Sequence, residues 1–377
     1  MSKFKGFKGL SNASASLLAI AAGLIAGFII LLISNPARAI DGMGIILRGG
    51  FNTGAKGMGQ VLYKATPIIM TGLSVGFAFK TGLFNIGAAG QLMVGGFAAV
   101  YAGSQWTLPY GLHWVIALIF GMMAGGLWGA VPGLFKAYLN VNEVISSIMM
   151  NYIGLYGVNY LIKLSPVYDS LKNQTVDVMA GAVIPKGGLD NIFYAVKGRY
   201  IDVSSVNAGI YIAIFLAVVV YIVLNKTTFG YELKACGYNR HASRYAGINE
   251  KRSILLSLVV AGALAGAAGG LMYLAPGSGM HIHVNETMAA EGFNGIPVAL
   301  LGLSNPIGII FSGVFVAYIA EGGSNLESLQ YRREVIDIII ALIIYFSAFS
   351  LLMRQMIARI RTRRAQSADG GREEAGT

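Results

Sequence analysis

Few side chains in this sequence could do chemistry, and most of them are amides in apolar surroundings. In "KTGLFNIGAAGQLMVGGFAAV", Lys80 to Val100, Asn85 and Gln91 flank the glycines Gly87 and Gly90. The glycines argue against a continuous helix, so a broken helix carrying two amides at membrane depth is expected. Such interruptions are tolerated either in the wall of a solute path or where amides bond neighbouring helices, and residue chemistry leaves both open. In "NVNEVISSIMMNYI", Asn140 to Ile153, Glu143 opens an apolar run, where a carboxylate suits a helix N-terminus as a cap. Asn151 lies about two turns further in and is the pathway candidate of that segment. Lys80 and Lys136 are expected to snorkel to the interface.

Spacing excludes other chemistries. "HIHVNE" holds His281, His283 and Glu286, but the histidines do not form a helical i, i+4 pair and no further Cys or His lies close, so a polar external loop is expected and no metal. "GLSVGFAFKTG" sets Lys80 and Thr81 after glycines at the wrong spacing for a phosphate loop. No hydrolase constellation is visible. The chain is therefore expected to be no enzyme and to bind no cofactor of its own.

The elements that must position these residues are membrane helices. With 55% hydrophobic and 12% charged residues and a mean hydropathy of +0.63, the chain is built for a bilayer. Apolar runs able to cross a core of about 30 Å are expected near 17–34, 61–79, 85–103, 114–135, 144–163, 209–224, 253–274, 288–303, 306–321 and 335–353. The fold class is an all-α polytopic protein of about ten spans, with both termini on one side. The pair 288–303 and 306–321, separated only by "LSNP", is either two short spans or a re-entrant hairpin, and parity holds in both cases. Residues 1–16 then form an N-terminal cytoplasmic segment, 17–353 the membrane domain and 354–377 a basic, disordered cytoplasmic tail. A cleaved signal peptide fits less well: the run Leu17 to Ile33 is long for one, and Arg38 sits inside the small-residue "ARA". The single cysteine, Cys236, can form no internal disulfide, which agrees with a bacterial plasma membrane.

Charge sets the expected orientation. Lys3, Lys5 and Lys8, the segment 225–252 and the tail carry the basic excess and are read as cytoplasmic. Segment 164–208 balances Lys172, Lys186, Lys197 and Arg199 against Asp169, Asp177, Asp190 and Asp202, and is read as external. The net charge of +11 thus describes topology and contact with anionic lipid, with no nucleic-acid partner. Glycines at helix-packing spacing, Gly121 to Gly133, Gly262 to Gly270 and Gly23 with Gly27, predict close helix contacts within the chain or a dimer seam. "GLFNIGAAGQL" and "EGFNGIPVALLG" form a faint repeat that predicts two inverted halves of five helices each. Segment 225–252 is unlike the other connections: a short helix is expected from Asn239 to Tyr245, ended by Gly247, with Arg244 and Tyr245 as anchors if a soluble motor grips it.

Together, "GLFNIGAAGQLMVGGFAA", "NVNEVISSIMMNYI", "ELKACGYNRHASRYAGINEKR" and "GFNGIPVALLGLSNPIG" resemble the permease subunits of bacterial ABC importers of the branched-chain amino acid and simple sugar type, and more closely the branch serving nucleosides with a basic-membrane-protein lipoprotein receptor. The resemblance runs from about residue 60 to 350 with the motifs in order. It implies a plasma-membrane importer with two permeases, a related second chain being favoured, two subunits that bind ATP and Mg, and an external lipoprotein that delivers substrate. It further implies that Gly237, Asn239, Ala242, Arg244, Tyr245 and Gly247 form the coupling helix, and that Asn85, Gln91, Asn151, Phe293 and Asn294 lie at or near the translocation path. Ala89 departs from the pattern, standing where relatives commonly carry glutamate, which shifts weight to the amides. The implied function is nucleoside import by alternating access. A simple-sugar permease is the alternative, and a proton-coupled transporter, which would need a titratable residue deep in a span, is a weaker one.

Overall fold

The computed structural model describes residues 3–349 except 198, 199 and 278, so the tail expected at 354–377 lies outside the described residues. Within a bilayer every backbone polar group must be satisfied internally, and the chain meets this with helices. They are α1 (Lys3–Ser34), α2 (Ala39–Arg48), α3 (Gly54–Lys80), α4 (Ala88–Gln105), α5 (His113–Leu139), α6 (Glu143–Leu164), α7 (Gly209–Lys226), α8 (Thr228–Tyr238), α9 (Arg240–Tyr245), α10 (Glu250–Tyr273), α11 (Ala290–Leu301), α12 (Pro306–Ser324) and α13 (Arg333–Ala348). Among the described residues, five stretches are long and apolar enough to cross a membrane: Pro36–Lys80, His113–Leu139, Gly209–Lys226, Glu250–Tyr273 and Pro306–Leu329. Each expected span contains a helix, but they are not equivalent. With its 12 residues, α11 rises about 18 Å, and of the two readings open for 288–303 this length suits the hairpin. The helix ends in a turn where Leu303 and Ser304 take positive φ and the chain doubles back through Gly302 and Gly308.

The chain divides into two compact units. In the first, residues up to Leu47 join those from Gly323 onward. There α1 lies against α13, and a methyl group built on Gly23 would sit 2.8 Å from the Ile343 carbonyl oxygen. The Tyr331 hydroxyl donates to the Asn35 carbonyl at 3.2 Å.

The second unit, Arg48 to Gly322, carries the sequence-predicted polar residues. Its centre is the set α4, α5 and α10, brought together by the two long glycine stripes, which face one another. A methyl group on Gly125 would lie 2.6 Å from the Gly262 carbonyl oxygen, and one on Gly95 2.4 Å from Gly266 Cα. These stripes are packing surfaces within the chain. Without a hydrophobic drive between helices in lipid, such close approach is what holds them.

One helix fixes the relative position of the two long connections. At its N-terminal end, α3 meets segment 164–208 through the Lys56–Asp202 ion pair of 2.6 Å. At its C-terminal end it meets segment 225–252, where Gly82 abuts Gly237. The segments read as external and cytoplasmic therefore lie at opposite ends of the same helix. Segment 164–208 is not mere loop: it forms the antiparallel hairpins β1 (Tyr168–Asp169) with β2 (Gln174–Thr175), and β3 (Tyr194–Lys197) with β4 (Tyr200–Val203). It is also stitched to segment 280–284, where the amide N–H groups of Thr175 and Val178 donate to the carbonyls of Ile282 and Met280. His281 belongs to this stitching, its Nδ1 lying 2.9 Å from Asp177 Oδ1.

Candidate functional site

The site begins where α3 stops. Gly82 takes φ +73; its N–H donates to the Phe79 carbonyl and that of Leu83 to the Ala78 carbonyl. This is the bond pair that closes a helix on a left-handed glycine. Residues 81–87 then run without regular helix until α4 starts at Ala88, so the break expected from the glycines is present.

Two buried amides close this break. Asn85 Nδ2 donates to Gln91 Oε1 at 2.8 Å, and Gln91 Nε2 donates back to Asn85 Oδ1 at 3.0 Å. Asn85 Nδ2 also reaches Ser74 Oγ on α3 at 2.9 Å, and Ser74 Oγ donates to the Ala261 carbonyl of α10 at 2.6 Å. From α6, Asn151 Nδ2 donates to the Ile86 carbonyl at 3.0 Å, while its Oδ1 accepts from the Gly90 N–H at 2.8 Å. Gly90 is in the first turn of α4, whose N–H groups lack intrahelical partners. Asn151 thus caps α4 from another helix. Asn85, Gln91 and Asn151 are all buried, and one turn before Asn151 the Ser147 hydroxyl is buried without a hydrogen-bond partner.

Phe293 and Asn294 are elsewhere. They sit on α11, which lays its glycine edge on the site: a methyl on Gly292 would be 2.5 Å from Ala89 Cα, and one on Gly295 2.6 Å from the Thr71 carbonyl carbon. Thr71 Oγ1 donates to the Glu291 carbonyl at 2.8 Å. Phe293 is exposed and Asn294 half-buried. Ala89, the departure from the family pattern, is fully buried beneath Gly292. The two Phe-Asn pairs of the faint repeat therefore stand in different local structures, one in a break and one in a helix.

The residues that the resemblance implies for coupling lie in the last turn of α8, in α9 and just past it, close to the end of α3. Asn239 Oδ1 accepts from the Ala242 N–H at 3.0 Å and caps α9. Gly247, at φ +81, ends α9 with the same bond pair that ends α3. Ala242, Arg244 and Tyr245 face outward, Tyr245 being 95% exposed, whereas Ser243 is buried against Cys236. Gly237, in the last turn of α8, presses on the break: a methyl on it would be 2.6 Å from the Thr81 carbonyl carbon, and one on Gly82 2.6 Å from Gly237 Cα. Thr81 Oγ1 also pairs with Ser257 Oγ of α10. Sequence reasoning missed Gly82, Ser74 and Ser257; only the glycine just past a helix end carried a readable signal.

Lys136 and Glu143 pair with each other at 2.9 Å, both largely buried. The cap expected of Glu143 belongs instead to Asn142, whose Oδ1 accepts from the Val144 N–H at 2.8 Å.

The geometry joins an outward-facing helix, a backbone contact and an amide-closed break in a membrane chain. No solved structure matches the chain. Among curated proteins, it is 38% identical to the guanosine ABC transporter permease protein NupP of Bacillus subtilis, over 95% of this chain and 99% of that one. It is 35% identical to the nucleoside ABC transporter permease protein NupB of Lactococcus lactis, over 93% and 95%. The glucose ABC transporter permease protein TsgB13 of Haloferax volcanii is 30% identical, over 87% and 85%. The family described as branched-chain amino acid transport system, permease component, matches residues 57–348, and the chain, a multi-pass membrane protein, belongs to that family.

Proposed function

We propose that this chain is the membrane-spanning permease subunit of an ATP-driven nucleoside importer of a bacterial plasma membrane. The reading is supported by the two nucleoside-transport relatives that match almost the whole chain. A permease subunit is not itself an enzyme: ATP and Mg belong to a separate ATP-binding subunit, a second, related permease completes the path, and an external lipoprotein delivers substrate. The finer topology is ten helices in two inverted halves, with α11 and α12 as a hairpin from the outer side, both termini cytoplasmic, and segments 164–208 outside and 225–252 inside.

The observation that carries the mechanism is the Gly82–Gly237 contact. The residues Gly237, Asn239, Ala242, Arg244, Tyr245 and Gly247 dock on the motor. Its closure moves α9, and Gly237 passes the motion by backbone contact to residues 81–87. Asn85, Gln91 and Asn151 hold that break in one arrangement and let it repack as a unit, which is how packed elements switch. Phe293 and Asn294, on the outward face of α11, meet the solute. Two partly buried carboxylates are paired, Glu143 with Lys136 at 2.9 Å and Glu321 with Lys64 at 2.7 Å.

The test is uptake of labelled guanosine, adenosine and uridine by the assembled transporter, with ATP maintained and the proton gradient collapsed. Uptake that survives the uncoupler and needs this chain is expected. Uptake of glucose or ribose alone would instead favour the sugar reading, which the glucose-transport relative supports. Arg244→Glu should abolish uptake and retention of the ATP-binding subunit while the chain remains inserted; normal uptake in that variant ends the docking assignment.

A further inference from the structure

Among the described residues, three buried polar side-chain atoms lack a hydrogen-bond partner: Gln60 Oε1, Ser147 Oγ and Asn159 Oδ1. Of the three residues only Ser147 is wholly removed from solvent. A serine inside a helix ordinarily bonds back to a carbonyl three or four residues earlier. Its neighbour Ser146 does so, donating to the Asn142 carbonyl at 3.1 Å and to that of Glu143 at 3.2 Å. Ser147 does not, so its hydroxyl carries the cost of leaving water with no bond in return.

The surroundings of Gly87 show what this idle group is next to. A methyl group built on Gly87 would lie 3.1 Å from Gln91 Nε2, 3.2 Å from Asn85 Oδ1 and 3.4 Å from Ser147 Cβ. The first two atoms are the donor and acceptor of one of the two bonds that close the break. Ser147 and that bond therefore meet where residue 87 has no side chain. Glycine is not demanded there by the backbone, since φ −68 and ψ 0 are open to any residue. What it supplies is a gap between the hydroxyl and the amide pair. A hydroxyl donates and accepts at once, the two functions needed to bridge Asn85 Oδ1 and Gln91 Nε2.

We propose that Ser147 positions the second arrangement of the break: when residues 81–87 repack, its hydroxyl enters through the gap at Gly87, donates to Asn85 Oδ1 and accepts from Gln91 Nε2. The direct bond between the amides is replaced by a bridge through α6. This deepens the transport reading above and rests on it. A buried group unmatched in one arrangement and matched in the other shifts the balance toward the second, so the motor has less to supply.

The experiment compares unfolding of the assembled transporter without nucleotide and held closed with ATP by a hydrolysis-deficient ATP-binding subunit, alongside guanosine uptake. Ser147→Ala should leave the nucleotide-free midpoint unchanged or higher, because it removes an unmatched group. It should lower the midpoint of the ATP-held complex and slow uptake by about tenfold, the scale of one hydrogen bond. Gly87→Ala keeps the hydroxyl but fills the gap; it should slow uptake equally, and the double variant should be no slower, since both remove one contact. A lower nucleotide-free midpoint for Ser147→Ala would mean that the hydroxyl is already bonded before closure, and overturns the proposal. Unchanged uptake with the same midpoint shift in both states would mean that it is idle throughout, and overturns it too. Either result with guanosine still carried leaves the transport reading standing. An unsubstituted complex that carries no nucleoside ends that reading, while the two midpoints still decide the role of Ser147. Where Ser147→Ala fails to assemble, normal uptake by Gly87→Ala overturns the proposal by itself.

Discussion

Asn85 and Gln91 form a closed unit in which each amide answers the other, and this decides how a change at either is felt. Removing one side chain leaves the other buried with an unmatched donor and acceptor, which costs about 1–3 kcal/mol, more than the net worth of the bond itself. Asn85→Ala and Gln91→Ala should each lower the thermal stability of the purified chain. The double variant should lose less than the sum, since the second change removes a group already orphaned. Strict additivity in the melting curves would mean that the amides do not act as a pair. Asn85 also serves Ser74, so its single change should be the more severe. The break and its amides were legible in the spacing of Asn85, Gly87, Gly90 and Gln91, because glycines and amides have no cheap place in a lipid-facing helix. Their closure on one another was not, since it depends on the path of residues 81–87. Phe293 and Asn294 show the reverse case. The string "EGFNG" echoes the Phe-Asn pair of the break, but Gly292 and Gly295 serve close packing on Ala89 and Thr71, and the helix runs through them.

At the scale of elements, the contact between the end of α3 and the last turn of α8 is backbone on backbone, so no side chain can yield to relieve it. Gly237→Ala brings a methyl group to 2.6 Å from the Thr81 carbonyl carbon and must push the two apart. Gly82→Ala adds the strain of a side chain at φ +73. Both variants should keep the ATP-binding subunit on co-purification, because the outward face of α9 is untouched, and both should lower uptake at least tenfold, an effect of 1.4 kcal/mol or more on the transport step. Loss of the motor subunit from Gly237→Ala would mean that the turn only shapes α9 and transmits nothing. The limits of α9 were readable because Asn239 and Gly247 are strong stop signals for a helix. The preceding α8 was not, as "TFGYELKACGY" has two glycines and no clear apolar period. The shortness of α11 was partly legible, since 288–303 reads as a short span or as half of a hairpin; its twelve residues include Glu291 and Asn294.

For the molecule as a whole, composition made the membrane legible and charge made a side assignment, but only the fold ties the two long segments to one rod. Because α3 meets Asp202 at one end and Gly237 at the other, any orientation in which α3 crosses and segment 164–208 lies outside puts segment 225–252 inside. Two exposed residues report on this directly: Leu171, 96% exposed beside the first hairpin, and Tyr245, 95% exposed on α9. In intact cells, Leu171→Cys should react with a membrane-impermeant thiol reagent and Tyr245→Cys should not; after permeabilisation both should react. The reverse pattern would place α9 outside, out of reach of any cytoplasmic ATP-binding subunit, and so remove the basis for ATP-driven coupling through this turn. Reaction of both in intact cells would mean that α3 does not cross the bilayer at all. The lysines and arginines of segment 225–252 predict the first outcome, since short basic connections stay on the cytoplasmic side while a charge-balanced segment such as 164–208 can cross without penalty.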